Sequence, residues 1–186
     1  MIDNFDKIRP NLHFTGDVLY HVQIIQRSKD GHTTNTRTIV DFYVHNAAYF
    51  EFITSAIKTL CNSYNARAYI NLNPKSEESI LWKMMDSGME RLKNKQPKPL
   101  SLLPHSVSSV NGFGRKVWIV DVDDSNVHLD DIIYDINKCK SGQQTNAIDV
   151  FPTVNGYHIL THPFDLTDLS LKLEIKKNSP TLLYYN

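Results

Sequence analysis

Apolar and polar positions alternate from Asp17 to Asn46, in DVLYHVQIIQRSKDGHTTNTRTIVDFYVHN. β-branched and aromatic residues flank Lys29-Asp30-Gly31, so the stretch predicts a β-hairpin turning near that glycine. The period then changes. Tyr49, Phe52, Ile53, Ala56, Ile57 and Leu60 recur at helical spacing and predict a helix over about 47–65. ARAYINLN reads as a short strand ending in a turn at Asn73-Pro74. Ser76 is placed to cap the next helix, with Glu77 and Glu78 in a first turn where the helix dipole favours acids. Within that helix Trp82, Met85 and Met89, with Met84 beside them, predict a stripe facing the core.

QPKPLSLLPHSVSSVNGFG breaks both periods. It holds three prolines, four serines and two glycines and reads as a long connection over about 96–114. Beyond it the pattern predicts a strand at 116–122, a helix at 127–139, strands at 146–152 and 156–162, a turn of helix near 164–169, and strands at 171–176 and 181–185. The order is ββαβα, a connection, then βαββ(α)ββ, with no internal repeat. This is an α+β chain. Each half is too small to close a good core alone, so the expectation is one domain over 1–186, built as two interlocked lobes with a cleft between them. The first lobe covers about 1–100 and the second about 115–186.

Composition narrows the function. The 186 residues carry 20 Lys+Arg against 20 Asp+Glu, so no global basic field favours non-specific nucleic-acid binding. Cys61 and Cys139 lie far apart, in no CxxC pair, which speaks against a structural zinc site or a disulfide framework. The N-terminal MIDNFDKIRPNLHF has no apolar signal core, and no window approaches the ~18 apolar residues of a membrane span. A soluble cytoplasmic protein with no membrane partner is expected.

The candidate chemistry begins at WIVDVDD, residues 118–124. On a strand, Val120 and Val122 point one way and Asp121 and Asp123 the other. Two hard carboxylates at that spacing suit Mg²⁺ or Mn²⁺. The same run also suits a solvated turn, with Asp124 or Ser125 capping the following helix. In FPTVNGYHILTHPFD, residues 151–165, a tight Asn155-Gly156 turn precedes His158. Gly156 allows positive φ and close approach of a ligand. His158 is either a packed core histidine or a site residue. His162, four residues on, shares its strand face. In LKLEIKK, Glu174 faces away from Leu173 and Ile175, either toward a site or toward Lys172 or Lys176.

Taken together these motifs resemble the catalytic pattern of the archaeo-eukaryotic primase (primase-polymerase) superfamily. That family carries an acidic strand, then a small-residue-x-His motif, then a strand with one more acid. The resemblance implies an RRM-like catalytic lobe behind an N-terminal αβ lobe. It implies two-metal phosphoryl transfer from nucleoside triphosphates to a 3′-hydroxyl, on Mg²⁺ or Mn²⁺ held by Asp121, Asp123 and Glu174. His158 would contact nucleotide phosphates. Arg67, Lys75, Asn155, Gly156 and Lys176 would help hold the nucleotide, with Asp124, Asp165, His162 and Arg115 as secondary candidates. Single-stranded nucleic acid would be the other substrate. Phage or plasmid replication would be the setting, in the host cytoplasm, with a helicase or another replication protein as a possible partner. The chain departs from the family in its Glu at the third acid, with Asp165 competing, and in Gly156 where serine is commoner. A non-catalytic nucleotide or nucleic-acid binder on the same fold, or a metal-dependent phosphodiesterase or nuclease, would use similar groups.

Overall fold

The structure is a computed structural model that describes residues 1–31, 34–123 and 128–186. In chain order its elements are β1 (Ile2–Asp3), α1 (Phe5–Ile8), β2 (Val18–Gln26), β3 (Arg37–Val44), α2 (Ala47–Tyr64), β4 (Arg67–Ile70), β5 (Lys75–Ser76) and α3 (Glu77–Lys93). They continue with α4 (Leu102–Ser109), β6 (Trp118–Val122), α5 (Leu129–Lys138), β7 (Ala147–Pro152), β8 (Tyr157–Thr161), β9 (Glu174–Lys176) and β10 (Thr181–Tyr185). Helices and two antiparallel sheets mix, as an α+β chain should. None of the helices is long and apolar enough to cross a membrane among the described residues.

Local signals explain most of these elements. The hairpin pairs β2 with β3 and turns at Gly31, whose φ of 78° is the left-handed conformation glycine adopts freely. α2 starts where the Asn46 side chain accepts the Tyr49 amide at 2.7 Å, and it ends at Asn65 in the left-handed region. Ser76 caps α3 by accepting from the Ser79 amide at 3.2 Å. The Asp17 carboxylate accepts the Glu78 amide at 3.0 Å.

The first sheet has the strand order β1-β10-β4-β2-β3, with β5 on β2; the second runs β7-β8-β6-β9. The last strand, expected with the second lobe, lies between β1 and β4 in the first sheet. Sequence period identifies a strand but not its neighbours, which pair across the whole chain.

One core layer joins the two sheets. Tyr20, Val22, Ile24, Ala68 and Ile70 of the first sheet, and Phe50, Ile53 and Ile57 of α2, meet Ile119, Phe151 and Leu160 of the second. The other face of the second sheet, including Val120, Val122 and Ile159, packs on Ile132 and Ile136 of α5. The Asn73 side chain ties the sheets together at 2.9 Å. Its amide donates to the Val117 carbonyl and its oxygen accepts the Val117 amide, a side-chain copy of a strand pairing.

Two expectations change in the region after β5. The connection contains a helix, α4, which packs Val107 against Ile80 of α3 and Leu19 of β2. Pro104 falls in its first turn, where a missing N–H costs nothing. The Trp82, Met85 and Met89 stripe is exposed, at 63%, 63% and 58%. Ile80 and Ser87 are the buried positions of α3, with Met84 partly buried on the same cluster. α3 therefore has two apolar faces, and α4 covers the other one.

Candidate functional site

β6 is the central strand of the second sheet between β8 and β9, and its register puts Asp121 opposite both His158 and Glu174. Phe151 is opposite His158 on the far side. Four strands therefore present Phe151, His158, Asp121 and Glu174 as one row across one face. Ile119 and Leu160 continue that face into the shared core, so the row lies where the core opens to solvent. The alternation of WIVDV explains this: Val120 and Val122 fill the α5 side, which turns Asp121 to the other.

The groups in the row are in contact. His158 Nε2 is 3.3 Å from Asp121 Oδ1. Its Nδ1 is 2.9 Å from Thr181 Oγ1, so the first sheet's β10 fixes the ring orientation. Lys176, next along the strand face from Glu174, donates to Asp121 Oδ2. The same ammonium lies 3.5 Å from Glu174 Oε1. The bond from His158 lowers the Asp121 pKa most, burial opposes it, and Lys176 adds to the lowering, so the carboxyl is held at about 2. Burial opposes the Lys176 charge, but its contacts with Asp121 and Glu174 outweigh that and raise its pKa.

Asp123 emerges exposed one residue past β6. With Asp121, Lys172 and Glu174 it lines a cleft of about 280 Å³. The donors there are hard oxygens that suit Mg²⁺ or Mn²⁺. Among the described residues no three His, Cys, Asp or Glu side chains converge as a ready metal-ligand set. Lys176 supplies the positive charge between Asp121 and Glu174.

The other candidates separate from the row. Arg67 donates from Nε to Asp30 Oδ2 at 2.8 Å and from a terminal nitrogen to Oδ1. It also stacks 4.6 Å above the Tyr185 ring. Its fork is thus filled by a carboxylate of the hairpin turn rather than by a phosphate. Lys75 is buried and donates to the Val110 carbonyl; burial lowers its pKa. Asp165, the competing third acid, caps a 3₁₀ turn by accepting from the Thr167 amide at 2.9 Å and its hydroxyl at 2.8 Å. Arg115 Nη1 lies 2.7 Å from His13 Nε2. His162 lies past the end of β8, and its pKa is lowered by burial and by Arg115. Asn155 is exposed in the turn before β8. Asp124 and Ser125, read as helix caps, lie outside the described residues.

Gly156 is needed for close approach, but by the protein's own backbone. A Cβ there would stand 1.9 Å from the Val122 carbonyl oxygen. Its φ is not among the positive ones. The turn before His158 is thereby clamped to the strand end that delivers Asp123.

Thr181 and Phe151 are the neighbours of His158 that sequence reading missed. Thr181 is the one polar residue in TLLYY, but only the cross-chain sheet pairing brings it to the histidine. Compared with known proteins, the chain matches no family model, no curated protein and no solved structure.

Proposed function

We propose that this chain is a primase-polymerase-like nucleotidyltransferase that transfers nucleotides from nucleoside triphosphates to a 3′-hydroxyl. The observation that carries the reading is the row His158–Asp121–Glu174 on three adjacent strands, with Asp123 at its rim. The strand order β7-β8-β6-β9, antiparallel throughout and with α5 after its first strand, supports it further. On this reading the second sheet is an RRM-like βαββαβ unit in which a 3₁₀ turn stands for the second helix.

On this reading Asp121, Asp123 and Glu174 hold Mg²⁺ or Mn²⁺, which would activate the hydroxyl and neutralise the triphosphate. His158, oriented by Thr181, donates to a phosphate oxygen. Lys176 swings from the carboxylates to the triphosphate, leaving the acids to the cation. Single-stranded nucleic acid would pass the open end of the row, where Asp123 and Lys172 line the cleft. The reading extends to phage or plasmid replication, in a cytoplasm and beside a helicase or another replication protein.

A second reading rests on Lys176. Its ammonium already bridges Asp121 and Glu174, which favours a protein that binds a nucleotide or nucleic-acid end without turnover.

The test is Mn²⁺ calorimetry with and without a nucleoside triphosphate, followed by primer-synthesis assays, on wild type and on D121A and D123A. Nucleotide-enhanced binding, and loss of about a hundredfold or more of synthesis in each variant, are expected. Binding without synthesis selects the second reading. Unchanged activity in either variant removes Asp121 and Asp123 from the chemistry.

A further inference from the structure

The exposed face of α3 carries Leu81, Trp82, Met85, Met89 and Leu92, each between 58% and 63% exposed. Residues 82, 85, 89 and 92 are spaced 3, 4 and 3 apart, the a–d–a–d seam of a coiled coil. Phe113, 55% exposed, extends the patch across a groove it shares with Trp82. An apolar stripe of this length on a water-facing helix calls for a partner.

We infer that the partner is a second copy of this chain, its α3 packed antiparallel against the first about a two-fold axis. The stripe is self-complementary in that direction. With the axis level with Ser87, Trp82 shares a layer with Leu92 of the other copy, and Met85 shares one with Met89. Both are a–d layers, and each occurs twice, as a two-fold interface requires.

The charges choose the same direction. Glu77 and Glu78 lie in the first turn of α3 and Lys93 in the last; Lys95 follows just beyond, whereas Arg91 is turned away to the Lys98 carbonyl and the Ser101 hydroxyl. Antiparallel pairing sets the acidic end of each helix beside the basic end of the other, and opposes the two helix dipoles favourably. Parallel pairing would stack acid on acid and base on base. Asp86 flanks the middle of the seam in both copies, and that like-charge pair keeps the affinity modest. The seam lies outside the carboxylate row, so the inference stands or falls apart from the enzymatic reading.

Sedimentation equilibrium on the full chain, from about 1 to 200 μM, is the test. Wild type should pass from the 21.4 kDa of one chain to twice that mass. M85E/M89E places acids in both shared layers and should stay at the mass of one chain throughout. M85K/M89E places opposite charges across each antiparallel layer and should recover the dimer. In a parallel pair the same change would set like against like. Circular dichroism should be unchanged in both variants, and so should melting at about 1 μM, where wild type too is a single chain, because the substituted positions face solvent. Wild type at one-chain mass over the whole range, or an M85E/M89E variant that still dimerises, would overturn the inference. So would an M85K/M89E variant that behaves like M85E/M89E.

Discussion

Each sheet contains a histidine–aspartate pair, and the two pairs differ in what surrounds them. In the first sheet His21 Nε2 lies 2.7 Å from Asp41 Oδ1, and Gln23 donates to the same oxygen at 2.9 Å. The Tyr43 ring stacks on the imidazole at 5.4 Å. Burial opposes the Asp41 charge, but the bonds from His21 and Gln23 outweigh it and hold its pKa below the usual carboxylate value. In the second sheet the His158–Asp121 contact is longer, at 3.3 Å. It is crossed by Lys176 and opens onto a cleft with Glu174 and Asp123 on its rim. The first pair has neutral neighbours. The second belongs to a charged chain that continues to solvent. A buried histidine beside an aspartate is therefore not a site in itself. What marks a site is surplus charge at a place that a ligand can reach.

Exchanging the two aspartates is the strongest way to break that contrast. D41A should lower stability by about 2–3 kcal/mol, because it leaves the buried His21 and the half-buried Gln23 without their shared acceptor, and it should leave nucleotide-dependent Mn²⁺ binding unchanged. D121A should abolish that binding at a similar cost in stability, since it leaves the buried His158 without its carboxylate partner. Denaturant melts measure that cost, and calorimetry separates the two. Equal loss of binding in both variants would end the distinction.

Acid titration sharpens it next. The folded pKa of Asp121, about 2, is below its unfolded value near 3.9. Its charge therefore stabilises the fold above about pH 4, and that contribution, about 2 kcal/mol, disappears as the pH falls toward 2. D121N should flatten this part of the stability–pH curve. A curve identical to wild type would show that the pairs with His158 and Lys176 contribute nothing.

The smallest effect is expected at Lys176. K176A should tighten Mn²⁺ binding about tenfold in the absence of nucleotide, because it removes the competing cation. The enhancement by triphosphate should fall in the same variant. Calorimetry that shows weaker Mn²⁺ binding would instead make Lys176 a prop that holds the two acids in place.

Much of this arrangement was legible in the sequence. Alternation over 17–46 gives β2 and β3, helical spacing gives α2, and Ser76 with its two glutamates marks the start of α3. The split of WIVDV into a valine face and an aspartate face holds in β6. Leu173 and Ile175 pack on the α5 side and leave Glu174 in the row. What was not legible depends on pairing at a distance. Nothing in TLLYY says that β10 crosses to the first sheet, so Thr181 could not be given to His158. Arg67 reads as a phosphate ligand until the hairpin turn delivers Asp30 to it. Trp82 and Met85 read as core because spacing reports an apolar face without saying what covers it. Ser106 and Val107 belong to a helix that three prolines and four serines concealed.

The stitch made by Asn73 has a mechanical consequence. The chain enters the second sheet at Val117, fastened to Asn73, and returns from it at Thr181, paired with Ile70. Both attachments fall within four residues at one end of β4. The shared core and the Asn4–Pro152 and Asn11–Asp149 hydrogen bonds hold the second sheet elsewhere too, so it does not swing on this stitch alone. Thr181, beside that stitch, carries the restraint to the His158 ring, while Asp123 and Glu174 lie at the open end of the row.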